Sequence, residues 1–134
     1  MSINSATAIA GPLYLYVHTI GCQMNEYDSQ RVQHILSIQG YTVTTDIHQA
    51  DVIFLNTCSV RAKAEQKVHS YLGRLRRLKK RNPRLIIIVA GCVAQQLGAD
   101  LLGRFEHLDL VLGTRAIPSV GVLLHRVATR SERL

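Results

Sequence analysis

Short apolar runs alternate with longer amphipathic stretches along almost the whole chain. Leu13-Tyr-Leu-Tyr-Val-His18 reads as a first strand. From Asn25 to Gln39 the positions Val32, Ile35, Leu36 and Gln39 follow one face at helical spacing. Asn25 is placed to cap that helix, Asp28 suits its first turn, and Gly40 supplies the stop. Tyr41-Thr-Val-Thr-Thr45 alternates and is β-branched, which predicts a second strand at an edge. Val52-Ile-Phe-Leu55 is a continuous apolar run, as expected of a strand buried on both faces of a parallel sheet.

The longest helix is predicted over Arg61 to Lys80, with Ala64, Val68, Leu72, Leu75 and Leu78 as its buried stripe and Asn82-Pro83 as its end. Leu85-Ile-Ile-Ile-Val89 is the strongest strand and is expected to lie centrally. A short helix over Gln95 to Arg104, a strand over Leu108 to Leu112 and a last helix over Arg115 to Arg126 complete the pattern. Thr114 leads into that last helix and Pro118 falls in its first turn. Strand and helix alternate nearly throughout, which predicts an α/β domain of three layers, α/β/α, with a mostly parallel sheet of about five strands.

The chain has 134 residues, enough for one domain with a real core. Its expected organisation is a flexible tail over 1–12, one domain over 13–126, and a tail or the start of a linker over 127–134. The first twelve residues lack the basic and long apolar regions of a signal peptide. The longest apolar run, Leu85 to Ala94, is too short to cross a bilayer. A cytoplasmic protein with no membrane partner is expected. Sixteen Lys and Arg face nine Asp and Glu, a net charge of +7, which suits a nucleic-acid partner or a generic basic surface.

Three cysteines are an odd number, which argues against a complete disulfide framework. Each falls just beyond the carboxyl end of a predicted strand: Cys22 after the first, Cys58 after the third, Cys92 after the fourth. In open α/β sheets, ligands bind outside those strand ends, so the three are expected to converge. Soft thiolates select zinc, copper(I) or iron–sulfur clusters. A closed zinc site wants four ligands, usually in short paired spacings, and none is present. Three wide-spaced cysteines suit a 4Fe–4S cluster with one iron left open, a departure from four-cysteine ligation. The competing readings are small buried core cysteines and a non-catalytic scaffold holding a labile cluster or zinc.

Three blocks carry a resemblance: Gly21-Cys-Gln-Met-Asn-Glu-Tyr-Asp-Ser29, Ala50-Asp-Val-Ile-Phe-Leu-Asn-Thr-Cys-Ser-Val-Arg61 and Gly91-Cys-Val-Ala-Gln95. In order and spacing they resemble the amino-terminal domain of the methylthiotransferase family, over roughly Leu13 to Leu124. Within it, Gln23-Met24-Asn25-Glu26 most resembles the members that methylthiolate isopentenylated adenosine beside the anticodon of tRNA, the alternative being a sister enzyme that acts on a ribosomal protein or on threonylcarbamoyl-adenosine. Ile20 departs from the aromatic residue that relatives often carry before Gly-Cys.

The resemblance implies a radical S-adenosylmethionine enzyme of three domains. The amino-terminal one would hold an auxiliary 4Fe–4S cluster on Cys22, Cys58 and Cys92 and present sulfur. A central domain would bind a second 4Fe–4S cluster and S-adenosylmethionine through C-x-x-x-C-x-x-C, and a small third domain would help bind tRNA. No C-x-x-x-C-x-x-C occurs among the 134 residues. Alone, this chain is expected neither to cleave S-adenosylmethionine nor to modify tRNA.

The remaining polar positions are weaker candidates. His18 reads as a hydrogen-bonded structural residue rather than a ligand. Asn25, Asn56 and Gln95 either hydrogen-bond cluster sulfurs or pin their loops, and Arg61 either balances cluster charge or faces solvent. Ten of the sixteen basic residues lie between Arg61 and Arg84. A solvated outer helix face is the favoured reading of that stretch, with tRNA contact as the alternative. No phosphate-binding glycine loop and no nucleophile–base signature is present.

Overall fold

The computed structural model describes residues 13–20, 24–57 and 62–130. Among the described residues five strands form one sheet: β1 (Leu13–Ile20), β2 (Tyr41–Val43), β3 (Val52–Thr57), β4 (Ile86–Gly91) and β5 (Leu110–Leu112). Every pairing is parallel, and the spatial order is β2-β1-β3-β4-β5. This is the flavodoxin-like order of doubly wound sheets, in which the chain reverses its direction of winding between β1 and β3. The described α-helices that connect and flank the strands are α1 (Met24–Ile38), α2 (Ala62–Arg81), α3 (Cys92–Arg104) and α4 (Val120–Arg130).

The alternation of side chains along a strand sends successive residues to opposite layers. Ile53, Leu55, Ile87 and Val89 pack with Val68, Leu72 and Leu75 of α2 and with Ala94 and Leu101 of α3. Val52, Phe54, Ile88, Ala90, Leu110 and Leu112 pack with Val32 and Leu36 of α1 and Val120, Leu124 and Val127 of α4. The three-layer α/β/α expectation is met.

β2 lies at an edge as expected. β4 has a neighbour on each side, but the middle place belongs to β3, all six of whose residues are buried. The amino-terminal edge of the sheet is laced by two aspartates. Asp51 Oδ2 accepts the Tyr14 N–H at 2.8 Å, and Asp109 Oδ2 accepts the Ile87 N–H at 2.9 Å.

Three boundaries differ from the sequence reading. α1 begins at Met24, so Asn25 lies inside its first turn rather than capping it. α3 begins at Cys92 itself, not at Gln95. Gly91, with φ of 101°, turns the chain so sharply that helix follows strand without a loop. The expected last helix is divided: a 3-10 stretch over Thr114–Ser119 contains Pro118, and α4 follows from Val120 to Arg130.

One crossover is thin. Between β2 and β3 the chain returns past β1 with only a single 3-10 turn, Ile47–Gln49, where the other connections carry full helices or a longer stretch. That turn is capped by Asp46, whose Oδ1 accepts the His48 N–H at 3.0 Å. Ile47 packs into the same layer as Tyr16 and Tyr71. β1 is therefore incompletely covered on the α2 side, and Tyr16 and His18 stay only half-buried.

Candidate functional site

The carboxyl ends of the three inner strands lie side by side in register. Ile20 of β1 is the partner of Thr57 of β3, and Thr57 is the partner of Gly91 of β4. At the spacing of neighbouring strands, these three ends span roughly 10 Å. Cys58 follows Thr57 directly, Cys92 follows Gly91 directly, and Cys22 comes two residues after Ile20. Cys22 and Cys58 lie outside the described residues, as does Arg61; Cys92 is the first residue of α3. Among the described residues, no group of three His, Cys, Asp or Glu is assembled for a metal.

The backbone at this edge is built for close approach. A Cβ on Gly91 would stand 2.1 Å from the Thr57 carbonyl oxygen and 3.1 Å from Asn56 Oδ1. Only glycine lets β4 end against β3 here. The N-terminus of α3 opens at the same place, and Gly91 gives it no side-chain cap. The first N–H groups of a helix and the positive end of its dipole favour negative charge at such a position. Three thiolate-bearing positions leaving adjacent strand ends, one at a helix start, make a donor set that fits a compact, thiolate-bound metal cluster.

Beneath the strand ends lies a buried polar network. Ser29 of α1 is in hydrogen-bond contact with Thr19 of β1, Oγ to Oγ1 at 2.9 Å. Asn56 Nδ2 of β3 donates to Ser29 Oγ at 3.0 Å. Thr57 Oγ1 donates to the Ala90 carbonyl of β4 at 2.7 Å. Ser29 is 2% exposed, and Asn56 and Thr57 are 0% exposed. Asn56 thus pins the first two cysteine blocks to each other. Nothing in the sequence singles out Ser29 and Thr57, because Asn56 and Ala90 lie 27 and 33 residues away from them and only the folded sheet and its helix bring each pair together.

The His18 side chain makes a ring contact, and among the described residues it makes no hydrogen bond. It stacks on Tyr71 of α2 with centroids 4.5 Å apart and planes 5° from parallel. Burial, with the nearby Arg74 guanidinium second, lowers its pKa from the usual 6.5. The Tyr71 hydroxyl is pushed well above the usual range for a phenol, chiefly by burial and then by Tyr16. Most of the basic stretch is solvated, Arg76, Arg77, Lys80 and Arg81 being exposed. Lys79 instead pairs with Asp109 at 2.7 Å and also donates to the Leu85 carbonyl.

A family model described as "Uncharacterized protein family UPF0004" matches residues 14–113, which takes in nearly the whole sheet. The tRNA-2-methylthio-N(6)-dimethylallyladenosine synthase of Syntrophobacter fumaroxidans is 64% identical over 129 residues, covering 96% of this chain and 28% of that protein. The protein of the same name from Geobacter sulfurreducens is 48% identical, covering 90% of this chain and 27% of its own length. That from Acinetobacter baylyi is 46% identical, covering 89% and 25%. The chain spans about a quarter of the length of these curated relatives.

Proposed function

This chain belongs to the UPF0004 family, the amino-terminal domain of the methylthiotransferases, and we propose that it is the auxiliary-cluster module of a tRNA methylthiotransferase. In this reading Cys22, Cys58 and Cys92 are the three ligands of a 4Fe–4S cluster. The observation that carries it is the register of Ile20, Thr57 and Gly91, each directly before or close to one cysteine. When bound, such a cluster would present the sulfur that the complete enzyme transfers to adenosine. The names of the relatives, each a tRNA-2-methylthio-N(6)-dimethylallyladenosine synthase, support dimethylallyl-adenosine in tRNA as the parent enzyme's substrate; its place beside the anticodon is part of the proposal. The enzyme's setting is the cytoplasm; among the described residues no helix is long and apolar enough to cross a membrane.

The chain's own contribution is positional. The parallel ladder sets the separation of the three exits, and the Ser29–Asn56 and Thr57–Ala90 bonds hold it against twisting. Gly91 removes the side chain that would force β4 away from β3. S-adenosylmethionine cleavage and the second cluster belong to a radical domain of the same protein, and tRNA binding is shared with a third domain.

Anaerobic reconstitution with iron and sulfide tests this reading. About one cluster of the 4Fe–4S type per chain is expected, given three thiolates. Cys58→Ala should keep the thermal stability of the apo domain and lose most of the iron. No 5′-deoxyadenosine should be released from S-adenosylmethionine by either protein. Undiminished iron in Cys58→Ala, or zinc bound in place of iron, overturns the assignment.

A further inference from the structure

An open cleft of about 490 Å³ lies between the carboxyl half of β1 and α2, lined by His18, Ile20, Gln66, Lys67, Ser70, Tyr71 and Arg74. It reaches the strand-end edge at Ile20. Lys67, Tyr71 and Arg74 stand at i, i+4 and i+7 of α2, so they share one face and the two cations are about 10 Å apart along it. Lys67 and Arg74 are exposed, and among the described residues no carboxylate pairs with either. Arg74 lies over the Tyr71 ring, 5.5 Å from its centroid, and Tyr71 is stacked on His18. Two cations that no described carboxylate pairs with, beside a flat aromatic pair, match an anion that carries planar rings.

We propose that this cleft seats a nucleotide of single-stranded RNA, with Lys67 and Arg74 on its phosphates and the His18–Tyr71 pair beside its base. The identity of that RNA as the anticodon loop of the substrate tRNA rests on the function proposed above. The recognition chemistry rests on the cleft alone. Stacking accepts any base, whereas phosphate contact supplies affinity that falls with salt. An RNA loop held here has its neighbouring nucleotides at the edge from which the cysteine-bearing segments leave.

The test measures binding of a fluorescently labelled anticodon stem–loop RNA to the 134-residue chain across a salt series. Lys67→Glu/Arg74→Glu should weaken binding by roughly tenfold or more and make the log–log salt slope shallower by about 1.4, two single-strand phosphates' worth. Arg77→Glu/Arg81→Glu, with the same change of charge elsewhere on α2, is the control and should do much less. His18→Gln, which removes a ring but no charge, should weaken binding severalfold with the slope unchanged. Equal losses from the cleft and control variants overturn the proposal, as does an unaffected cleft variant or an unaffected His18→Gln. Displacement of the RNA by polyglutamate as readily as by unlabelled RNA would assign the cleft to an acidic protein instead. Iron content measured on the same samples keeps the two readings apart: iron retained in Cys58→Ala defeats the cluster assignment without touching the RNA result, and the reverse holds equally.

Discussion

The α-carbon of Gly91 faces the carbonyl oxygen of Thr57 so closely that a methyl group between them would sit 2.1 Å from that oxygen. Gly91 also holds a φ of 101°, where L side chains are strained. Gly91→Ala should therefore destabilise the domain by about 2–4 kcal/mol, combining backbone strain with separation of β3 and β4. Urea unfolding monitored by circular dichroism measures this. A loss below about 1 kcal/mol, the ordinary size of a single substitution, would mean that the turn relaxes without disturbing the ladder.

Ser29 is the shared partner of Thr19 and Asn56. Ser29→Ala takes an acceptor from a fully buried amide, and a loss of about 1–3 kcal/mol is expected. In a double-mutant cycle with Asn56→Ala the two losses should not add, because both remove the same bond. Additive losses in urea midpoints would show that Ser29 acts through Thr19 alone.

Asp109 holds the start of β5 by accepting from both Lys79 and the Ile87 N–H. Asp109→Ala should lower stability by about 1.5–3 kcal/mol, the range for hydrogen bonds to a charged group. Lys79→Met should lower it less, since the backbone N–H of Ile87 keeps its acceptor. Thermal melts of the two variants in parallel give the order, and the opposite order contradicts this account.

His107 is 7% exposed, with Nε2 2.6 Å from the Leu72 carbonyl and Nδ1 buried without a partner among the described residues. Its pKa is lowered from 6.5, first by burial and then by Arg76 and Lys79, against the opposing pull of the Leu72 carbonyl and Asp109. Above the unfolded value of 6.5 both states are neutral and the group adds no pH dependence. Below it the unfolded chain takes up a proton that the native state refuses, so stability falls until the depressed native pKa is passed. His18 acts in the same direction. Urea midpoints between about pH 7.5 and about pH 5.5 should fall more steeply for the wild type than for His107→Gln. Parallel curves would remove His107 from the explanation.

Periodicity made most of this fold legible. The apolar runs at Val52 and Leu85 and the stripe through Val68, Leu72 and Leu75 mark strands and a helix because burial on both sides, or on one stripe, leaves a readable pattern. The start of α3 was not legible, since a positive φ at Gly91 is a property of its packing against Thr57, not of its neighbours in sequence. Pro118 suits a helical first turn in isolation, yet here it lies in a 3-10 stretch. The placement of Cys58 and Cys92 directly after strands was visible, but the alignment of Thr57 with both Ile20 and Gly91 required the strand order. The His18–Tyr71 stack had no local signal at all, being made by residues on different elements.

The strand-end register also acts as a proofreading condition on assembly. Ile20, Thr57 and Gly91 belong to segments more than thirty residues apart, and they meet only when three strands are paired correctly. A slip of β4 by one residue would turn Ile87 and Val89 toward the α1 layer, expel their packing partners, and carry Gly91 off the Thr57 carbonyl. A chain in that state has lost its core and its glycine gap together. Whatever binds at this edge therefore meets a finished sheet or none, and occupancy of the edge becomes a report on how the whole domain was folded.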